Sequence, residues 1–226
     1  VKQNRLMSSI IKWFIFFIGL FIMAFGIVLT MKANLGVSSW DVLHMGLYYR
    51  FGLSIGTWSI LIGVIVLISS SLLSKKLPQL GAIINMLSVG VFIDLYMLMP
   101  VLQTPDTFLG KMCMLLLGIL VLGFGMGLYI SAKRGTGPRD SLMIALVEKT
   151  GRSITFIRGT IEVIVLVLGW ILGGPVFIGT IIATASMGYV AGIMIPLCEK
   201  WTEWLVYKVA IDKRQMHNPS FMNRNI

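Results

Sequence analysis

Two aspartates, Asp41 and Asp140, have the residue type and setting to do chemistry. Each lies in a glycine-containing segment between long apolar runs: Gly36-Val37-Ser38-Ser39-Trp40-Asp41-Val42-Leu43-His44 and Gly135-Thr136-Gly137-Pro138-Arg139-Asp140-Ser141-Leu142-Met143. Both segments read as a glycine-released turn leading into a short helix, with the aspartate near its third position. There a carboxylate can accept free backbone N–H groups and meets the positive end of the helix dipole, so one reading makes both residues caps. The other reading sets the two helix N-termini at a polar cavity, where the N–H groups face an anionic solute or the carboxylates hold a cation or proton. Trp40 and Arg139 stand next to the carboxylates. Arg158 and Glu162 form a second constellation, four residues apart and able to pair on one helix face. An ionised residue inside a bilayer costs ~2.5–3.5 kcal/mol and therefore faces protein or water, so this pair either orients its helix or lines a cavity. Asp41, Asp140, Arg139, Trp40, Arg158 and Glu162 are the candidate solute- or ion-handling residues.

The elements that must position them are set by hydrophobicity. Of 226 residues, 57% are hydrophobic and 12% charged, about half the usual charged fraction. The chain is uncharged from Trp13 to Met31, Ser54 to Ser74 and Met112 to Ala132, and roughly 20 such residues cross a ~30 Å hydrocarbon core as a helix. This composition excludes a disordered chain, a disulfide-stapled scaffold and an ordinary soluble enzyme. Spans are expected near 10–32, 54–74, 78–99, 111–132, 154–172 and 176–196. The first run is too long for a signal peptide and has no evident cleavage site, and Val1 reads as a translated alternative start codon. With both termini cytoplasmic, sixteen of the 19 Lys and Arg residues fall inside, and Lys32, Arg50 and Lys111 fall outside. The positive-inside rule thus accounts for the net charge of +10 without nucleic acid.

The chain also matches itself. Shifted by 99 residues, Gly19, Phe25, Gly26, Leu29, Asp41, Gly52 and Ser54 fall on Gly118, Phe124, Gly125, Leu128, Asp140, Gly151 and Ser153. Shifted by 98, Gly81, Ser88 and Gly90 fall on Gly179, Ser186 and Gly188. A charged residue and several loop positions in one register mark a duplication. Each copy holds a span, a short helix and two more spans. Three is odd, so the second copy enters from the opposite side, as in the inverted repeats of many secondary transporters. The short helices cover only ~21 Å at ~1.5 Å per residue, so they lie in the interface or re-enter. Were they to span, there would be eight crossings, parallel repeats and a less one-sided charge distribution.

Local signals fill in the elements. Pro138 suits a first helical position, Gly52 and Gly151 suit left-handed helix ends, and Ser54 and Ser153 suit caps of the following spans. Asp94 reads as interfacial. Gly123, Gly125 and Gly127, and the pair Gly188 and Gly192, read as close packing, within the chain or between subunits. Gly173-Gly174-Pro175 reads as a tight helical hairpin. Trp201, Trp204, Tyr207 and Lys208 read as an interfacial helix. Cys113 and Cys198 read as small apolar residues. His44 and His217 have no clustered partners, so no metal is expected. Nucleophile motifs and phosphate-binding glycine loops are absent from the sequence, and the reading is of a non-enzyme without cofactor.

The stretch Leu35-Gly36-x-Ser38-Ser39-Trp40-Asp41-Val42-Leu43-His44 resembles the signature of the YczE/YyaS/YitT family of bacterial integral membrane proteins. So do Gly137-Pro138-Arg139-Asp140-Ser141-Leu142-Met143, Gly151-Arg152-Ser153, Arg158, Glu162, Gly173-Gly174 and Gly179-Thr180. The likeness is closest to the YczE branch and covers roughly residues 13–196. It departs at Ser39 and Tyr189, where the family often has proline. The resemblance implies a bacterial plasma-membrane protein and supplies no substrate, cofactor or catalytic residue.

The expectation is therefore an all-α polytopic membrane bundle of about six transmembrane helices in two inverted three-helix repeats, each with a short interfacial or re-entrant helix. Residues 1–100 form the first repeat, 101–198 the second, and 199–226 an interfacial helix and cytoplasmic tail. The function expected first is transport of a small solute or metabolite. The alternative is a non-transporting accessory protein supporting another membrane system. Expected partners are the lipid bilayer, a small-molecule or ion substrate, and a second copy of the chain.

Overall fold

The computed structural model describes residues 2–216, with side chains from 7 to 208. His217 and the end of the polar tail lie outside the described residues. The described residues form eight helices: α1 (Lys2–Lys32), α2 (Ser39–Phe51), α3 (Ile55–Ser74), α4 (Leu80–Met97), α5 (Phe108–Ser131), α6 (Pro138–Thr150), α7 (Ile154–Ile171) and α8 (Ile178–Met216). Six contain a stretch long and apolar enough to cross a membrane, at Met7–Lys32, Ile55–Ser74, Leu80–Met97, Phe108–Ser131, Ile154–Ile171 and Ile178–Lys208. The first five lie within three residues of the expected spans, and the last runs past the expected end at 196 to Lys208. The short α2 and α6 fall between them.

Local chemistry sets the helix ends. Ser54 accepts the Thr57 N–H at 3.0 Å and Ser153 the Phe156 N–H at 3.3 Å, each capping the helix that follows. Pro138 opens α6, where a missing N–H costs nothing. The turns leading into α2 and α6 are built alike, with Asn34 and Lys133 at φ 52° and 54°. Asp94, expected at the interface, accepts from Ser54 Oγ at 2.5 Å and from the Gly56 N–H at 2.8 Å, tying the end of α4 to the start of α3.

The centre of the bundle is the crossing of α1 and α5, where glycines let the backbones touch. A Cβ on Gly19 would lie 2.5 Å from the Tyr129 nitrogen, and one on Gly26 2.3 Å from that of Leu122. A Cβ on Gly118 would lie 2.9 Å from the Thr30 nitrogen, and one on Gly125 2.3 Å from that of Met23. Rising numbers on α1 meet falling numbers on α5, so the two helices run antiparallel. Gly19 and Gly26 correspond to Gly118 and Gly125 in the duplication, so each approach occurs twice with the halves exchanged. The same exchange relates the packing of α2 on α7 to that of α6 on α3. It also relates Gly179, whose N–H donates to the Leu35 carbonyl at 2.7 Å, to Gly81, which abuts the Arg134 carbonyl.

Phe16, Leu20 and Val28 of α1, Ile93 of α4 and Tyr129 of α5 are buried in the largest apolar cluster. Phe14, Ile65, Val163 and Ile181 are exposed, leaving the outside of the bundle apolar as lipid contact requires. Gly123 and Gly127 pack on Val190 and Met194 of α8, whereas a Cβ on Gly188 or Gly192 would meet open space among the described residues. The interfacial helix expected from residue 199 is the continuation of α8, which passes Pro196 without ending. Lys208 Nζ sits 4.9 Å over the Trp204 ring on that extension.

Candidate functional site

A cavity of about 190 Å³ lies at the centre of the bundle, and all eight helices line it. It exceeds the ~150 Å³ that accommodates benzene in an apolar protein cavity, so a small organic solute fits. Asp41, Asp140, Arg139, Trp40, Arg158 and Glu162 all face it. Sequence placed these six on three separate helices, and the fold brings them together.

The lining follows the duplication. Met23 and Leu122, Thr30 and Tyr129, Trp40 and Arg139, Asp41 and Asp140, Ser59 and Arg158, Gly63 and Glu162 are corresponding positions, and both members of each pair line the cavity. Apart from Val66 and Ile119, every lining residue has its counterpart there. The cavity thus sits where the two halves meet. The polar identities are unequal, because Arg139, Arg158 and Glu162 stand opposite Trp40, Ser59 and Gly63.

The N-termini of α2 and α6 both open on this space. Residues Ser38 to Asp41 and Gly137 to Asp140 line it, while a Cβ on Gly52 or Gly151 at the far ends would meet nothing within 4 Å among the described residues. The helix dipoles therefore direct their positive ends inward. Arg139 Nη2 lies 3.9 Å from Asp41 Oδ1, and its guanidinium stacks 4.8 Å over the Trp40 ring. Asp41 also accepts from Ser38 Oγ at 2.6 Å and lies 3.7 Å from His44 Nδ1. Arg158 Nε donates to Glu162 Oε1 at 3.3 Å, so these two residues pair and line the cavity at once.

Neither aspartate caps its helix as a backbone acceptor among the described residues. Ser38 donates to Asp41 Oδ2, while Oδ1 has no hydrogen-bond partner among the described residues and meets His44 and Arg139 only at 3.7 and 3.9 Å. Asp140, its counterpart, forms no salt bridge and no hydrogen bond among the described residues. Burial pushes the Asp41 carboxyl up, but His44, Arg139 and Ser38 outweigh burial and hold it below the ordinary carboxylate value. Burial pushes Asp140 above that value, although Arg158, Arg139 and Tyr129 pull the other way. Burial also lowers His44, which favours the neutral imidazole.

Some lining residues gave no sign in sequence. Asn85 is buried with its Nδ2 unpartnered, and its counterpart Ala183 is apolar, so the duplication does not mark it. Tyr129 and Ser59 likewise face unlike counterparts. For His44, the spacing of three from Asp41 is the sequence signal for their approach.

Residues 10–196 match a family model described as a family of unknown function, DUF6198. The chain belongs to this family. The membrane protein YczE of Bacillus subtilis (strain 168) is 39% identical over 188 residues, covering 83% of this chain and 86% of YczE. The protein YyaS of the same organism is 32% identical over 191 residues, covering 84% of this chain and 94% of YyaS. A protein of Haemophilus influenzae is 33% identical over 169 residues, covering 75% of this chain and 76% of its own. No solved structure matches the chain. The DUF6198 match runs from α1 to Pro196 of α8 and contains every residue lining the cavity. With six apolar helices and relatives such as YczE, this member of the YczE/YyaS family is a multipass membrane protein.

Proposed function

We propose that the protein moves a small solute across a bacterial plasma membrane through the cavity between its two halves. One observation carries this reading: the cavity is lined by corresponding positions of both halves, at the point where the N-termini of two short helices converge. Secondary transporters commonly bind substrate at a repeat interface near such broken helices. The antiparallel crossing of α1 with its counterpart α5 supports an inverted repeat of six crossings over eight crossings with parallel repeats. The distribution of Lys and Arg supports cytoplasmic termini. A protein that only supported another membrane system would have no need of five charged side chains around an internal space, each of which costs stability in a bilayer.

The test is untargeted mass spectrometry of cells expressing the wild-type protein, Arg139→Met or Glu162→Gln at matched membrane abundance. Transport predicts at least one solute whose internal level changes with the wild type and returns to that of the deletion strain with both variants. Solute levels that respond equally to all three proteins would favour the accessory role.

A further inference from the structure

The duplication placed an aspartate at the same point of both halves, but only one kept its partners. Asp41 has Ser38 three residues before it, which donates to its carboxylate at 2.6 Å, and His44 three residues after it, whose Nδ1 stands 3.7 Å away. The positions corresponding to Ser38 and His44 are Gly137 and Met143, which offer Asp140 nothing on its own helix. The position corresponding to Trp40 is Arg139, but its guanidinium turns to Asp41, in the other half. Arg158 is engaged by Glu162. Three carboxylates and two guanidiniums face the cavity, so with His44 neutral the walls lack one positive charge, and among the described residues Asp140 is the lining acid without a salt bridge, with Tyr129 beside it. The rest of the lining is soft and apolar, with Met86, Met126 and Met143 among five methionines, and Trp40 and Tyr129 supply aromatic faces that attract cations.

We infer that the solute of this cavity is a small organic monocation with an apolar body, held by the Asp140 carboxylate. The inference rests on the reading of the cavity as a solute site and names the chemistry of that solute. Without the cation, a proton on Asp140 balances the site. When the cation binds, the carboxyl O–H bond breaks and the proton passes to water, so cation and proton compete for one carboxylate. Burial raises Asp140, which favours the protonated form in this competition. The charged and titratable groups facing Asp140 are Arg139 on its own helix, Arg158 and Glu162 on α7, Asp41 and His44 on α2 and Tyr129 on α5. The other helices bring no titratable side chain to the cavity.

The experiment is competition binding to the purified full chain in lipid nanodiscs. Labelled benzylamine is displaced by benzylammonium, benzyl alcohol or benzoate, three probes of similar size and different charge. Saturable binding is expected, with the alcohol at least about tenfold weaker as a competitor and benzoate inactive, since each tenfold is ~1.4 kcal/mol. Affinity should fall as pH is lowered into the acid range, as the carboxylate takes up its proton. Asp140→Asn should lose at least about tenfold and Asp94→Asn nothing. A second variant guards against misfolding: Gly137→Ser with Met143→His gives Asp140 the partners that Asp41 has, and should weaken benzylamine binding while Asp140 is kept. A Cβ on Gly137 meets nothing closer than 3.5 Å, so the serine has room. Equal or better competition by alcohol or benzoate would overturn the charge assignment. Binding of the alcohol that is lost in Trp40→Ala would leave the transport reading standing. Absence of saturable benzylamine binding would overturn the inference.

Discussion

Arg139 lies 3.9 Å from Asp41, so the N-terminus of α6 is joined to the N-terminus of α2 by an ion pair between the two halves of the duplication. Asp41 is buried, so its charge is shielded from bulk water, although its partner Arg139 is partly exposed, as Arg158 and Glu162 are. Removing the partner of a buried carboxylate leaves its charge without compensation, and removing both does not. Double-mutant cycles on thermal stability in detergent, with Asp41→Asn and Arg139→Gln, should give a coupling of about 1 kcal/mol or more. The cycle Arg158→Gln with Glu162→Gln should stay near ~0.3–0.5 kcal/mol, the size of a pair along one helix. Equal coupling in both cycles would remove the special role of the contact between halves.

The α1–α5 crossing predicts a matched response in the two halves. Gly26→Ala and Gly125→Ala each drive a methyl into backbone and should destabilise by about 1–3 kcal/mol. Gly188→Ala and Gly192→Ala meet open space and should leave thermal stability unchanged in the detergent-solubilised monomer. Damage from Gly26→Ala without damage from Gly125→Ala would break the exchange symmetry of the crossing.

Much of this arrangement was legible in the sequence, and the reasons are local. Long apolar runs, three of them without any charge, marked the spans because a bilayer demands length and low polarity together. Ser54, Ser153, Pro138, Gly52 and Gly151 marked helix ends because those jobs depend on residues a few positions apart. Arg158 and Glu162 showed their pairing through their spacing. The reach of Arg139 to Asp41 was not legible, because it depends on how two halves dock and no spacing encodes that. The cap reading of the aspartates failed for a similar reason: His44 and Arg139 compete for the Asp41 carboxylate, and only the packed structure brings Arg139 there. Asn85 was hidden because a lone amide in an apolar helix looks the same whether it faces lipid, protein or a cavity.

Asp94 is the acid with a structural job. Asp94→Ala would strip the acceptor from Ser54 Oγ and the Gly56 N–H and should cost about 1 kcal/mol, the usual size of a lost cap. Asp94→Asn, which keeps an acceptor, should cost less. Both variants should retain the wild-type solute profile once membrane abundance is matched. A changed profile would enlist Asp94 in the site.

The proposed inverted architecture places the C-terminal ends of α2 and α6 on opposite faces of the membrane. Single cysteines replacing Tyr49 and Thr150, in a chain carrying Cys113→Ser and Cys198→Ala, should react with an impermeant thiol reagent from opposite sides. Labelling of both from the same side would mean parallel repeats.

Transport requires that the central cavity be reached from each side in turn, and one cysteine measures this most directly. Ser59 lines the cavity, is uncharged and carries none of the ion pairs. In the same cysteine-free chain, Ser59→Cys is exposed to a small impermeant thiol reagent in right-side-out vesicles and, separately, in inside-out vesicles. The account predicts reaction from both sides, with the membrane remaining sealed to the reagent. Reaction from one side only would make the cavity a one-sided pocket and contradict transport.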